Sequence, residues 1–70
     1  MKYLLTGHAQ ERMHQRGVSL DLVIEVIEQA ERIEKQKDTW IATKNTFKGR
    51  LEVVFQKTDT IIKIITTYWV

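Results

Sequence analysis

The spacing of the apolar residues changes once along the chain, at about residue 32, and this change limits the possible folds more than any other feature. Before that point apolar residues recur at the three- and four-residue steps of an α-helix. Beyond it, the period becomes two in four β-rich runs, ERIEKQK, TWIATK, RLEVVFQK and TIIKIITTYWV. Turn-forming residues separate these runs, at Lys37-Asp38, at residues 45–49 and at Thr58-Asp59. We therefore expect an α+β fold with the element order α-α-β-β-β-β.

The first helix is expected over residues 7–16, with Thr6 as its N-cap and Gly17 ending it in the left-handed conformation. At 100° per residue its apolar stripe is narrow, and a row of basic residues lies beside that stripe. The row consists of His8, Arg12 and Arg16. Histidine exchanges protons near neutral pH, and guanidinium groups one turn apart bind phosphate. The alternative is that these are solvated edge residues, with an arginine paired to an acidic group.

Ser19 is expected to cap a second helix that has an unusually wide apolar surface. Its apolar side chains cover an arc of roughly 200°, about twice the usual width. They are Leu20, Leu22, Val23, Ile24, Val26, Ile27, Ala30 and Ile33. Such an arc needs two contacting surfaces, either the first helix and a sheet or a sheet and a second copy of the chain.

The small size of the chain restricts how it is stabilised. Its 70 residues are expected to form a single domain over 1–70, and the lack of cysteine excludes disulfides and thiolate zinc sites. Stability must then come from packing or from self-association. The two histidines have no nearby carboxylate pair, so we expect neither a metal ion nor a cofactor.

The sequence also bears on where the protein works. No stretch reaches the ~20 apolar residues of a membrane span, and the opening MKYLLTGH lacks the apolar region of a secretory signal. We therefore expect a cytoplasmic protein of bacterial type with no membrane partner. The net charge is only +2, but residues 18–34 carry five acidic and one basic side chain. The first helix and the sheet are left basic, as expected of surfaces that bind phosphates.

The last two runs predict a hairpin whose faces differ in chemistry. A turn at Thr58-Asp59 would pair Phe55 with Ile62 on the face that the helices cover. The opposite face would carry basic, hydroxyl and aromatic side chains, with the pairs Lys48–Trp69, Arg50–Thr67 and Val54–Lys63. There, Lys48, Arg50 and Lys63 would hold phosphates and Trp69 would stack on a base. The alternative is a solvated sheet face, with Trp69 and Tyr68 in a dimer contact.

Two stretches carry a resemblance to a known family. They are His8-Ala9-x-x-Arg12-Met13-x-x-Arg16-Gly17-Val18-Ser19 and the closing Ile65-Thr66-Thr67-Tyr68. The chain resembles, over nearly its whole length, a family of short bacterial domains of unknown function with an HAxxRM…RGxS signature. That family looks related to the RelE/ParE toxins and to the barnase-like nucleases. The resemblance implies a helical hairpin on one face of a three- to four-stranded antiparallel sheet, with RNA on the other face.

Matching positions carry over candidate roles from these relatives. His8 is then the candidate acid or base, Arg12 and Arg16 are phosphate-binding or structural groups, and Thr67 and Tyr68 line the site. Arg50 or Arg12 would stabilise the charge that grows on phosphorus. Because His8 belongs to a helix on the covered face and Arg50, Lys63 and Thr67 to the opposite face, the two sets share a site only at an edge of the sheet.

The predicted function is a metal-independent endoribonuclease of the RelE-like toxin type. Its substrate would be free or ribosome-bound RNA, and a cognate antitoxin would neutralise it. The alternative is a non-catalytic interaction module, either a nucleic-acid-binding protein or a homodimeric regulatory protein.

Overall fold

A computed structural model describes every residue from Met1 to Val70 and contains two helices and five strands. Their bounds are β1 (Lys2–Leu5), α1 (Gly7–Arg16), α2 (Leu20–Glu28), β2 (Arg32–Gln36), β3 (Thr39–Thr46), β4 (Gly49–Lys57) and β5 (Ile61–Trp69). The predicted α+β class is confirmed. Neither helix combines the length and the hydropathy that crossing a bilayer would require.

The five strands form one mixed sheet in the order β1-β5-β4-β3-β2. The pairs β2–β3, β3–β4 and β4–β5 are antiparallel, as the alternating runs predict. The expected three to four strands omit β1, which pairs in parallel with β5, with Lys2 opposite Ile61 and Leu5 opposite Ile64. A strand of four residues is too short to show a clear alternation, so its pattern does not distinguish it from the lead into a helix.

Both helices begin where the capping residues predict. The Ala9 amide donates to Thr6 Oγ1 at 2.9 Å, and the Leu22 amide donates to Ser19 Oγ at 3.2 Å. Gly17 ends α1 with φ of 64°, a left-handed conformation that glycine adopts without steric cost. The second helix is shorter than expected, because α2 ends at Glu28 and Ile33 belongs to β2.

The core lies between the two helices and one face of the sheet. Twelve buried apolar residues form it, namely Ala9, Met13, Val18, Leu22, Val23, Val26, Ala42, Leu51, Val53, Phe55, Ile62 and Ile64. Helix α1 packs on β5 and β1, and α2 packs on β3 and β4. The opposite face carries no helix, and we call it the uncovered face.

The predicted register of the last hairpin is wrong. The turn lies one residue later than expected, which moves each strand partner by two residues. The Thr58 amide donates to the Ile61 carbonyl at 2.8 Å, so the two-residue loop is Asp59-Thr60 rather than Thr58-Asp59. Phe55 consequently pairs with Ile64 instead of Ile62. The sequence does not distinguish the two loops, because each contains one threonine and one aspartate, and both residue types occur in turns.

A β-bulge then shifts the second half of β5 by one more residue. Phe55 pairs with Ile64 and Val54 with Thr66, so Ile65 is the extra residue of the bulge. Because side chains alternate between faces, every residue after Ile65 lies on the face opposite to the expected one. Thr67 is thus completely buried on the covered side.

Candidate functional site

The second half of β5 has helix α1, and not a strand, along its outer edge. Strand β1 pairs only with residues 61–64 of β5. Beyond them, Thr6 Oγ1 lies 3.4 Å from the Ile65 carbonyl, and the Arg16 guanidinium donates to the Thr67 carbonyl. The helix therefore supplies donors to an edge whose carbonyls would otherwise lack them. These contacts place the basic row of α1 and the end of β5 at the same edge of the sheet.

The basic row runs along this edge for the length of α1. His8, Arg12 and Arg16 follow one another at steps of four residues, which is about 6 Å of rise per step. Arg12 is half-buried and donates to Gln15 Oε1 at 3.1 Å. The His8 side chain is exposed and has no hydrogen bond or ion pair in the structure. The imidazole is therefore open to solvent and to a bound ligand.

Tyr68, Glu52 and Arg16 come together where β5 meets the end of α1. Glu52 faces Tyr68 across β4 and β5 on the uncovered face, and it faces Thr43 on its other side. Hydrogen bonding with the Glu52 carboxylate, then burial and the Glu52 charge, raise the pKa of the Tyr68 hydroxyl, while Arg16 lowers it. The edge thus holds a carboxylate, a phenol and a guanidinium that influence one another.

Glu52 does not stand out in the sequence. The sequence does contain a hint, because Glu52 is the one acidic residue of β4 and it alternates with the buried Leu51 and Val53. That pattern shows that the carboxylate points to the uncovered face but not which side chains surround it. Its neighbours depend on the bulge at Ile65, which no local pattern predicts.

The four residues predicted to bind nucleic acid do not form one surface. Lys48 lies in the turn before β4, and its Nζ is 2.7 Å from the Gly17 carbonyl. Trp69 lies on the covered side, and its Nε1 donates to the Arg16 carbonyl at 2.8 Å. Both therefore satisfy carbonyls at the end of α1, where a helix leaves its last acceptors unpaired. Trp69 is not on the uncovered face as expected because the bulge shifts its register, and Lys48 is not in β4 but in the turn before it.

The remaining predicted residues are also placed differently from one another. Arg50 lies on the uncovered face, where its Nη1 is 3.3 Å from Glu31 Oε1 and 3.2 Å from Asn45 Oδ1. Its charge is therefore already balanced. Lys63 is exposed on the same face, opposite Gln56. Thr67 is fully buried and its hydroxyl has no hydrogen-bond partner, so it does not line a surface site.

The structure has no cluster of three or more His, Cys, Asp or Glu side chains that could hold a metal ion.

The protein is a small α+β domain with a row of basic side chains beside a carboxylate and a phenol. Residues 5–69 match the profile of a family described as "Domain of unknown function (DUF4258)", and the chain belongs to that family. Neither a curated protein nor a solved structure matches it.

Proposed function

We propose that the protein is a metal-independent endoribonuclease of the RelE-like toxin type, with its site at the edge shared by α1 and β5. The observation that carries the proposal is the meeting of Glu52, Tyr68 and Arg16 at the end of the basic row. The resemblance to RelE/ParE toxins supports it, as do two helices on one face of a mixed sheet in which four of the five strands are antiparallel to one another. RNA, free or on the ribosome, is the proposed substrate.

The residues at this edge fit the chemistry of RNA cleavage without a metal. A base removes the proton of the 2′-hydroxyl, the resulting oxygen attacks the adjacent phosphorus, and an acid protonates the departing 5′ oxygen. His8 is the proposed acid or base, and Glu52 is a second candidate base beyond the far end of the row, two helical steps of about 6 Å each from His8. The two arginines between them, Arg12 and Arg16, bind the phosphate and stabilise its growing charge. Arg16 keeps donors for this role, because a guanidinium has five and only one contacts Thr67.

Arg50 has a smaller part in this proposal than the sequence suggests. Its guanidinium contacts Glu31 and Asn45, so binding a phosphate would require those contacts to be exchanged. Lys63 remains a cation on the uncovered face that would attract the RNA backbone without taking part in the reaction. A cognate antitoxin would inhibit such an enzyme by covering the same edge.

The test is cleavage of a defined single-stranded RNA by the purified chain in excess chelator. We expect cleavage by the wild-type chain and a loss of at least about 100-fold in His8→Ala, because general acid and base groups typically contribute that much. A comparable loss in Glu52→Gln would assign the base to Glu52. His14→Ala is the matched control. The chain has two histidines, and His14 is exposed on the same helix away from the row.

An equal loss of activity in the His8 and His14 variants, or cleavage that depends on a divalent metal, would contradict the proposal. Expression of the chain alone should also arrest bacterial growth, and His8→Ala should relieve the arrest. Binding without cleavage would instead favour the non-catalytic nucleic-acid-binding protein. Its affinity for single-stranded RNA should then fall with salt, with a logarithmic slope of about −0.7 per phosphate contacted.

A further inference from the structure

Strand β2 is an edge of the sheet that the rest of the chain leaves open. All five of its residues are exposed, and its one strand neighbour is β3. Ile33 is 52% exposed, although its backbone position places it on the covered side, opposite Ala42. An open edge offers unpaired backbone groups to another strand, and an exposed isoleucine offers it apolar area.

The turn after β2 determines which of its backbone groups are free. Gln36 and Thr39 face each other across the two-residue loop Lys37-Asp38, so they form a hydrogen-bonded pair. In an antiparallel ladder such pairs alternate, so Glu34 and Arg32 also bond to β3. The amide and carbonyl groups of Ile33 and Lys35 therefore point away from β3, toward the open edge.

The side chains of β2 are arranged so that the strand complements a copy of itself in one register. Arg32 and Glu34 lie on the uncovered face and pair within the strand at 2.7 Å, with side chains 69% and 44% exposed. In an antiparallel pair centred on Ile33, each Arg32 would lie directly opposite Glu34 of the other copy. Opposite charges in direct cross-strand positions are stabilising.

The neighbouring two-fold registers bring like charges together. An antiparallel pair centred on Glu34 sets Glu34 against Glu34, and one centred on Lys35 sets Lys35 against Lys35. A parallel pair in register sets Arg32 against Arg32. Like charges directly opposite each other are destabilising, so the charges select the register centred on Ile33. That register also makes Ile33 a hydrogen-bonded pair with itself, which uses the groups that the turn leaves free.

We propose that the β2 edge binds a second copy of this chain, with a two-fold axis at Ile33 and perpendicular to the sheet. The two sheets then continue into one of ten strands, and the helices of both copies lie on the same side. The edge of α1 and β5 faces the other end of each sheet, so the pairing leaves the proposed RNA site open. The inference therefore stands independently of the proposed function.

Five residues of edge strand bury little area, so we expect a weak dimer that forms with increasing concentration. Sedimentation of the wild-type chain should show a shift from one to two chain masses as the concentration rises to about 1 mM. Arg32→Glu and Glu34→Arg should each abolish the shift, because each sets like charges opposite each other. The double variant Arg32→Glu/Glu34→Arg should restore it.

A cross-linking experiment tests the register itself. The chain has no cysteine, so Ile33→Cys introduces a single thiol. In the proposed register the two copies of residue 33 have Cα atoms about 5.5 Å apart, which suits a disulfide. Lys35→Cys is the matched control. It lies on the same side of the same strand, but in this register it faces residue 31 of the other copy, four residues away from that copy's residue 35. Mild oxidation should cross-link Ile33→Cys at least 10-fold faster than Lys35→Cys.

Two results would overturn the proposal. One is a wild-type chain that stays monomeric at every concentration, with neither cysteine variant cross-linking. The other is cross-linking of Lys35→Cys as fast as that of Ile33→Cys. It would show that the chains associate in another register or without a fixed strand pairing. Circular dichroism of each variant checks that it is folded. All four substituted side chains are exposed and outside the core, so we expect unchanged spectra.

Discussion

Each of the two tyrosines lies beside a glutamate. Tyr3 Oη donates to Glu28 Oε2 at 3.1 Å, and Tyr68 faces Glu52 across the sheet. For Tyr3, burial is the main cause that raises the pKa, and Glu28 adds to it. For Tyr68, hydrogen bonding with Glu52 is the main cause. The two hydroxyls therefore differ in how strongly their titration depends on the neighbouring carboxylate.

We expect both tyrosines to titrate above the usual pKa of about 10 when tyrosinate absorbance is followed in the folded protein. Glu52→Gln should lower the pKa of Tyr68 and leave that of Tyr3 unchanged, because it removes a charge that disfavours tyrosinate. Glu28→Gln is the matched control and should move Tyr3 instead. Identical curves for the wild type and Glu52→Gln would contradict the contact between Glu52 and Tyr68.

The same shifts predict how stability depends on pH. Each folded-state pKa lies above the unfolded value of about 10, so the folded state binds the tyrosine protons more tightly. The resulting stabilisation is fully present below pH 10 and is lost as the pH rises through the folded-state pKa values. Urea unfolding at increasing alkaline pH should show this decline, and it should be smaller in Glu52→Gln.

At the scale of elements, the end of α1 is held by side chains from distant strands. Lys48 reaches the Gly17 carbonyl from the β3–β4 turn, and Trp69 reaches the Arg16 carbonyl from β5. A cation at this position also interacts favourably with the negative end of the helix dipole. Lys48 therefore joins the hairpin to the helix as well as satisfying an acceptor.

We expect Lys48→Met to lower the free energy of unfolding by about 0.5–1 kcal/mol, because it keeps the length of the side chain but removes the donor and its charge. Phe47→Ala, one residue earlier in the same turn, is the control. Phe47 is 87% exposed, so its removal should change stability by less than about 0.5 kcal/mol. Urea titrations of both variants measure the difference, and equal effects would argue against the Lys48 contact.

Local patterns predict the elements well and their pairing less well. Thr6, Gly17 and Ser19 mark the helix ends because capping depends on residues within one turn. The bulge at Ile65 and the parallel pairing of β1 depend on contacts between distant parts of the chain, and no short pattern encodes them. The candidate site shows the same division. The basic row follows from helical spacing, whereas Glu52 joins it only through the register of β5.

At the scale of the whole molecule, burial decreases from the middle of the sheet toward β2. Strand β4 lies between β5 and β3 and contributes Leu51, Val53 and Phe55 to the core. All five residues of β2 are exposed, whereas β1 at the other edge packs Tyr3 and Leu5 against the core. Regions with few buried contacts open at lower free energy than the core does. The β2 edge is therefore the part of the sheet that opens most readily.

Amide hydrogen exchange in dilute solution should follow this gradient. We expect the β4 amides to exchange last, near the free energy of global unfolding, and the Ile33 and Lys35 amides to exchange first. The two classes should differ by more than about 100-fold in protection. Comparable protection across β2 and β4 would mean that the sheet opens only as a unit.

The bulge at Ile65 also makes the chemistry of β5 sensitive to chain length. Removing that one residue would put the strand back in phase, so that Thr67 would face solvent and Tyr68 would enter the core. No side chain at the edge would have changed, yet the phenol would have left Glu52 and Arg16. The number of residues before them, rather than their identity, decides which hydroxyls of the closing Ile65-Thr66-Thr67-Tyr68 lie on the uncovered face.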